Sequence, residues 1–214
     1  MSEKKYTTLT VLTYFIAFLA PAFGPTLEIR IILTILTYLI GSIVMIRLYK
    51  KTSQPLSFEA NPMSRGRIIT LGIIGIFLAI LLQNVMITIE LYFDGQVDSA
   101  NTQGILELIF QNPLMILAVM IGGPIMEEFV FRRAIMGMVT RRSNLWLGVL
   151  VSAVLFALMH QAGHWLLYSA LGALFSLQYI ITGSIWTSVI SHVGMNTLVI
   201  LANVIVEVYN LPVK

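Results

Sequence analysis

Apolar and polar positions along this chain alternate in long blocks rather than at strand or amphipathic-helix spacing. Uncharged or nearly uncharged runs cover residues 6–28, 31–46, 68–89, 108–126, 143–159 and 165–206. Roughly 20 residues of helix cross a hydrocarbon core, so the last run is too long for one crossing. Dividing it near Thr182-Gly183-Ser184 gives about seven helices. The expected fold is all-α, a polytopic transmembrane helix bundle in one domain over residues 1–214. Residues 1–112 supply N-terminal helices and loops, and residues 113–209 the core helices that carry the polar site.

Local signals set the boundaries. Lys4-Lys5, an apolar run and Ala20-Pro21-Ala22 could be mistaken for a cleavable secretory signal, but they read as an uncleaved first helix ended by Pro21 and Pro25. A second helix spans about 28–49, a polar loop with Pro55 and Pro62 follows to about 67, and a third helix runs to about 93. Gln83 and Asn84 sit at mid-depth in it and read as interhelical hydrogen-bonding amides. Residues 94–103 form a polar far-side stretch around Gly95 and Asp98, and residues 104–111 lie along the interface. The fourth helix starts at Asn112-Pro113, is kinked or restarted at Pro124, and ends near Thr140. The short turn 141–144 leads to a fifth helix ending at His160, where Gln161-Ala162-Gly163 interrupts it. The sixth covers about 164–181 and the seventh about 185–208.

Composition agrees with a membrane chain. Of 214 residues, 57% are apolar and 11% charged, with mean hydropathy +0.88, too little polar surface to coat a soluble globule. The net charge of +3 is not a nucleic-acid signal once placed. Arg47, Lys50, Lys51, Arg65, Arg67, Arg141 and Arg142 lie in two connections, whereas Asp94, Asp98 and Glu107 lie in a third. This asymmetry predicts cytoplasmic basic loops, a cytoplasmic N-terminus and a multi-pass protein of the cell membrane. Trp146, Trp165 and Trp186 fall near helix ends, as interfacial belts do. The chain has no cysteine, which leaves the redox compartment open.

Against this background, Glu127, Glu128, Arg132 and Arg133 place four ionisable groups within seven residues. Charges at membrane depth cost a few kcal/mol each, so they are expected to be paired or functional. Glu128 and Arg132 stand i,i+4 with the acid first, the favourable order for a helical ion pair. Arg133, Arg141 and Arg142 read as cytoplasmic anchors or lipid contacts. Helices four and five are joined by a tight turn, and Glu127 and His160 each lie roughly 21–24 Å from it, so they should face each other. His192 and Asn196, i,i+4 on helix seven, project from one face roughly 12–18 Å above its start. Phe156, one turn before His160, should lie beside its imidazole. An intramembrane polar site formed by helices four, five and seven results. His164 also permits a zinc reading with His160 and a glutamate, although Gly163 breaks the shared helix face.

Glu127-Glu128-Phe129-Val130-Phe131-Arg132 resembles the Glu-Glu-x-x-x-Arg motif of the CAAX-processing and bacteriocin-processing (CPBP, Abi, Rce1-like) intramembrane protease family. Phe156-Ala157-Leu158-Met159-His160 is similar to its Phe-x-x-x-His motif, and His192-Val193-Gly194-Met195-Asn196 to its His-x-x-x-Asn/Asp motif. The resemblance covers about residues 122–202. Arg133 departs from it, since many members have glycine there, which bears on packing more than on chemistry. The resemblance implies an intramembrane endopeptidase without metal or other cofactor, acting on a peptide or protein substrate at the bilayer. Glu127 and His160 would bind and deprotonate water, and His192 and Asn196 would hold the oxyanion, with Glu128, Arg132 and Phe156 supporting. Prenylated tails, bacteriocin or pheromone precursors and immunity roles are all compatible with it. A non-catalytic scaffold or immunity protein, a zinc protease and a small transporter are the competing readings; the transporter usually shows internal repeats, and none is visible. Oligomeric state is not readable.

Overall fold

In the computed structural model the described residues are 1–52, 54–94, 100–160 and 164–209. The expected polar stretch around Gly95 and Asp98 and the break at Gln161-Ala162-Gly163 lie outside them. The described residues form eight helical segments and no strand: α1 Glu3–Leu19, α2 Leu27–Lys51, α3 Arg65–Asp94, α4 Ala100–Gln111, α5 over residues 115–142, α6 Leu145–His160, α7 Trp165–Thr182 and α8 Ile185–Val208. Five stretches among them are long and apolar enough to cross a membrane: Glu3–Phe23, Leu27–Lys51, Arg65–Phe93, Trp165–Thr182 and Ile185–Val208. The chain is a multi-pass helical membrane protein.

Helix ends follow the sequence closely. Pro21 ends α1 in a 3₁₀ turn, Ala20–Phe23, because it cannot donate into a continuing α-helix. Thr26 caps α2 by accepting a hydrogen bond from the Ile29 N–H at 3.3 Å. Gly183 divides the last long run: its φ of 66° is left-handed, and its N–H closes α7 on the Tyr179 carbonyl at 2.9 Å. A Cβ there would also stand 2.6 Å from the Phe58 carbonyl.

Pro124 stands in the first turn of a restarted α-helical segment, as one of the two expected outcomes had it, but the restart does not break the helix. Instead α5 stays continuous and changes pitch: Ala118–Gly122 is π-helical, Gly123–Glu127 α-helical and Glu128–Met136 π-helical again. The missing proline N–H is absorbed by the wider turn, which closes on itself with Gly123 N–H donating to the Ala118 carbonyl. Such π segments widen a helix locally and often occur at functional sites.

Lipid chains are as apolar as leucine, so the bundle holds together through close packing and polar contacts. α3 packs along α8 and α7, α6 lies against α7, and α1 against α2. One cluster of buried rings and methionines, including Met126, Phe129, Phe131, Phe156 and Phe175, fills the space beneath the polar site. At the α6–α7 crossing a Cβ on Gly172 would lie 2.9 Å from the Ala153 Cα, a backbone atom with no room to turn away. We therefore expect Gly172→Leu to destabilise the protein by about 1–3 kcal/mol or more through overpacking. Gly66→Ala, where nothing lies within 4 Å, should leave stability unchanged. Thermal unfolding of the two variants in one detergent makes the comparison.

The loop between α2 and α3 is not a free polar connection. Leu56 is buried, the Met63 N–H donates to the Thr182 carbonyl at 2.9 Å, and Ser57–Glu59 forms a 3₁₀ turn. Arg133, expected to touch lipid or anchor an interface, is instead fully buried beneath this loop. It pairs with Glu3 at 2.7 Å and Glu59 at 3.2 Å, donates to the Gln54 carbonyl at 3.0 Å, and lies 5.1 Å from the Tyr6 ring centroid. Its partners come from the N-terminus and the loop, far from it in sequence, and they outweigh exposure to lipid. Arg141 stays exposed but reaches the same loop, donating to the carbonyls of Gln54 and Pro55 at 2.8 Å each. Nor do Gln83 and Asn84 knit helices together among the described residues. One turns to a cavity and the other is exposed, as neighbours on a helix face about 100° apart would be.

Candidate active site

Adjacent on α5, the two glutamates face different surroundings. Glu128 points into the bundle and is fully buried, with Oε2 3.5 Å from Arg132 Nε and Oε1 2.9 Å from His192 Nδ1. Arg132, also fully buried, donates from Nη1 to Ser152 Oγ at 3.2 Å, and its guanidinium lies 4.5 Å from the Phe156 centroid. Ser152 passes the interaction on by donating to the Phe131 carbonyl at 3.0 Å. The i,i+4 ion pair is therefore embedded in a network that ties α5 to α6 and α8, with the two opposite charges compensating each other in the bundle.

His192 is clamped on every side. Its ring stacks on Phe175 at 4.6 Å and meets Phe156 edge-on at 5.7 Å. Because the Glu128 carboxylate at Nδ1 accepts, that nitrogen carries a proton, and Nε2 is left facing Glu127 Oε2 at 3.6 Å. The Glu127 side chain keeps 18% of its surface, in contrast to the buried Glu128.

His160, the last residue of α6, is held by different contacts. Nδ1 lies 2.8 Å from the Phe156 carbonyl. A carbonyl only accepts, so Nδ1 is the protonated nitrogen and Nε2 of the neutral ring carries a lone pair. Tyr168 stacks on the imidazole at 4.0 Å, and Phe156 tilts against it at 4.4 Å, as the spacing predicted.

Two cavities meet at this point. One, of about 240 Å³, is lined by Glu127, Tyr14, Tyr38 and Pro124; the other, of about 280 Å³, by His192, Gln83, His164 and Asn203; His160 and Asn196 line both. Asn196 Nδ2 stands 3.5 Å from the Val119 carbonyl, at the limit of a hydrogen bond. The four residues picked from the sequence thus border two adjoining cavities that share His160 and Asn196 in their walls, although the nearest ionic partner of Glu127 is His192 rather than the facing His160.

His164 is engaged elsewhere. Its Nδ1 pairs with Glu90 at 2.7 Å, and the other Glu90 oxygen accepts from the N–H groups of Leu166 and Leu167 at 2.9 and 3.0 Å. Glu90 thereby caps α7 from a neighbouring helix, the favourable place for a carboxylate. No group of three metal-ligating side chains is found among the described residues.

Sequence reasoning missed Ser152, Phe175, Tyr168 and Glu90. Ser152 had a usable signal, since Ser152, Phe156 and His160 stand at i, i+4 and i+8 on one helix face. Phe175 and Tyr168 had none, being aromatic residues in an aromatic-rich apolar helix.

Known proteins place this arrangement. Residues 109–198 match the model of the Type II CAAX prenyl endopeptidase Rce1-like family. Through this segment the chain is similar to the Rce1-like family. The matched residues contain all three motifs and end two residues beyond Asn196. Two curated relatives share more of the chain. YdiL of Bacillus subtilis (strain 168), whose name proposes a membrane peptidase, is 39% identical over 140 residues, covering 64% of this chain and 57% of that protein. The membrane-embedded CAAX protease MroQ of Staphylococcus aureus (strain USA300) is 28% identical over 180 residues, 80% of this chain and 73% of its own. The chain thus spans little more than half of the first relative and about three quarters of the second. No solved structure gives a significant match.

Proposed function

We propose that this protein is an intramembrane endopeptidase that hydrolyses a peptide bond with a water molecule activated by Glu127 and His160. The reading rests above all on one observation: a partly accessible carboxylate, two oriented imidazoles and an amide border two adjoining cavities within an otherwise apolar bundle. A scaffold has no need of that convergence.

Each group has a task that its surroundings suit. Water in the cavity beside Glu127 donates to the carboxylate and to the lone pair on His160 Nε2. Glu127 takes one proton as the water oxygen attacks the peptide carbonyl carbon, forming a tetrahedral oxyanion. Asn196 Nδ2 donates to that oxyanion, and so does His192 Nε2 when the ring is an imidazolium. Carboxylates stand at both ring nitrogens, which is where such a cation is charge-compensated. Preorganised donors in a water-poor site are worth roughly 3–4 kcal/mol each. The carbon–nitrogen bond then breaks, and the proton held by Glu127 passes to the leaving nitrogen. One water is consumed, and a carboxylic acid and an amine are released. Glu128, Arg132, Ser152 and Phe156 act through His192 and His160 by fixing them in place.

The basic connections between α2 and α3 and between α5 and α6 support reading that end of the bundle, and the N-terminus with it, as the cytoplasmic side of the cell membrane. One relative carries the name of a CAAX protease; here the candidate substrates are membrane-associated peptides more broadly, bacterial peptide precursors among them.

Reconstitution with a library of quenched fluorogenic apolar peptides tests the proposal. Cleavage that EDTA leaves unchanged is the expected result. Cleavage lost in EDTA and restored by zinc would replace the glutamate mechanism with a metal-dependent one, and absence of cleavage across the library would count against the enzyme itself.

A further inference from the structure

The two cavities lie at one end of the bundle, and that end is opposite the basic loops. α8 begins near the basic end at Ile185; from there His192 is about 10 Å along the helix and Asn203 about 27 Å. Gln83 is about 27 Å along α3 from Arg65, and His164 and Leu167 belong to the far end of α7. All line the larger cavity. In the smaller one, Phe18 lies in the last turn of α1 and Thr34 in the second turn of α2, again at the far end. With a hydrocarbon core about 30 Å thick, the space runs from mid-depth to the far interface.

Towards the basic loops, a cavity of about 290 Å³ beside Tyr49, Glu59 and Ser184 shares no lining residue with these two, and buried groups lie between. Beneath the four polar residues sit the buried Glu128–Arg132 pair and the buried rings of Phe129, Phe131 and Phe175. Below those, Arg133 is locked to Glu3 and Glu59 under the α2–α3 loop. A peptide coming from that side would have to break two buried charge networks.

We infer that the site is reached from the membrane face opposite the basic loops, and that it takes apolar, internal stretches of peptide presented from the extracytoplasmic side. The substrate half of this statement rests on the protease reading. The walls supply the chemistry. Ile87, Leu171, Val199 and Ile200 line one cavity and Tyr14, Phe18 and Met115 the other, and neither described lining includes a lysine or arginine to hold a terminal carboxylate. Their shared border at His160 and Asn196 places apolar walls on both sides of the reacting bond. An extended segment with hydrophobic side chains before and after the cleavage point fits this layout, with Gln83 and Asn203 positioned to meet its backbone.

The absence of native cysteine makes access directly measurable. Single variants Gln83→Cys and Asn203→Cys would be expressed beside Ser143→Cys, an exposed position at the turn between α5 and α6. A membrane-impermeant maleimide is then applied to intact cells and to inverted vesicles. The expected result is that positions 83 and 203 label from outside at least about tenfold faster than position 143, with the order reversed in inverted vesicles. Labelling of 83 and 203 only in inverted vesicles, or in neither preparation while detergent exposes both, would overturn the inference. So would labelling of position 143 from outside. Labelling does not depend on turnover, so its outcome separates from that of the protease proposal: correct labelling without cleavage sinks the enzyme, and cleavage with inside-only labelling sinks the access route.

Discussion

Glu127→Gln is expected to reduce peptide hydrolysis by at least about 10³-fold while leaving thermal stability nearly unchanged. A general base contributes typically 10²- to 10⁴-fold, and here the same group also holds the nucleophilic water and returns the proton to the leaving amine. Glutamine keeps the side chain's size but cannot take that proton. Stability should be spared because Glu127 is the partly exposed member of the pair, and its nearest ionic contact, His192 Nε2, stands at 3.6 Å, outside hydrogen-bonding distance. The neighbouring substitution separates the two roles. Glu128→Gln removes the fully buried charge that balances Arg132 and orients His192, so it should lower both activity and stability. Turnover of a reconstituted peptide substrate, measured alongside unfolding temperature, reads both. Equal loss of stability in the two variants would mean that the glutamates share one structural task.

Arg133→Leu carries the largest expected effect on stability, a loss of about 3–5 kcal/mol, the usual result of removing one partner from a buried charge network. The guanidinium is the only cation paired with Glu59 among the described residues, and Glu59 is nearly buried: it accepts from the Leu56 N–H at 2.6 Å, from the Tyr49 hydroxyl at 3.3 Å and from the Tyr179 hydroxyl. Without Arg133 that carboxylate is left charged and uncompensated beneath the α2–α3 loop. Arg133→Lys keeps the charge but not the planar fork, and should fall between the leucine variant and the native protein. Adding Glu59→Gln to Arg133→Leu should recover part of the loss, because the stranded charge goes with it. Denaturant unfolding in a mixed detergent gives the series. A leucine variant within about 1 kcal/mol of native would show that water or lipid headgroups already solvate the cluster.

Much of the architecture was legible because it depends on local rules. Run length and hydropathy located the helices, and Thr182-Gly183-Ser184 divided the last run where Gly183 takes its left-handed turn. The equal distances of Glu127 and His160 from the tight turn brought them to one cavity, since antiparallel helices with a fixed rise leave little freedom. What failed depended on contacts distant in sequence. Nothing near Arg133 indicates that Glu3 and Glu59 will reach it, and the loop that delivers Glu59 reads as polar and loose until Leu56 and Met63 are seen packed. The π-helical pitch of α5 was hidden too; a proline preceded by two glycines signals a perturbed helix but not whether it kinks, breaks or widens. The pairing of His192 with both glutamates was hidden as well, since helical neighbours diverge by about 100° around the axis and their side chains converge only at a partner on another helix.

The central claim, that Glu127 drives hydrolysis at membrane depth, is tested most directly by mass spectrometry of membrane peptides from cells carrying the native chain or Glu127→Gln at equal abundance. The account predicts fragments unique to the native sample, each ending at a bond within an apolar stretch. Identical peptide profiles in the two samples, with both proteins inserted and folded, would contradict it.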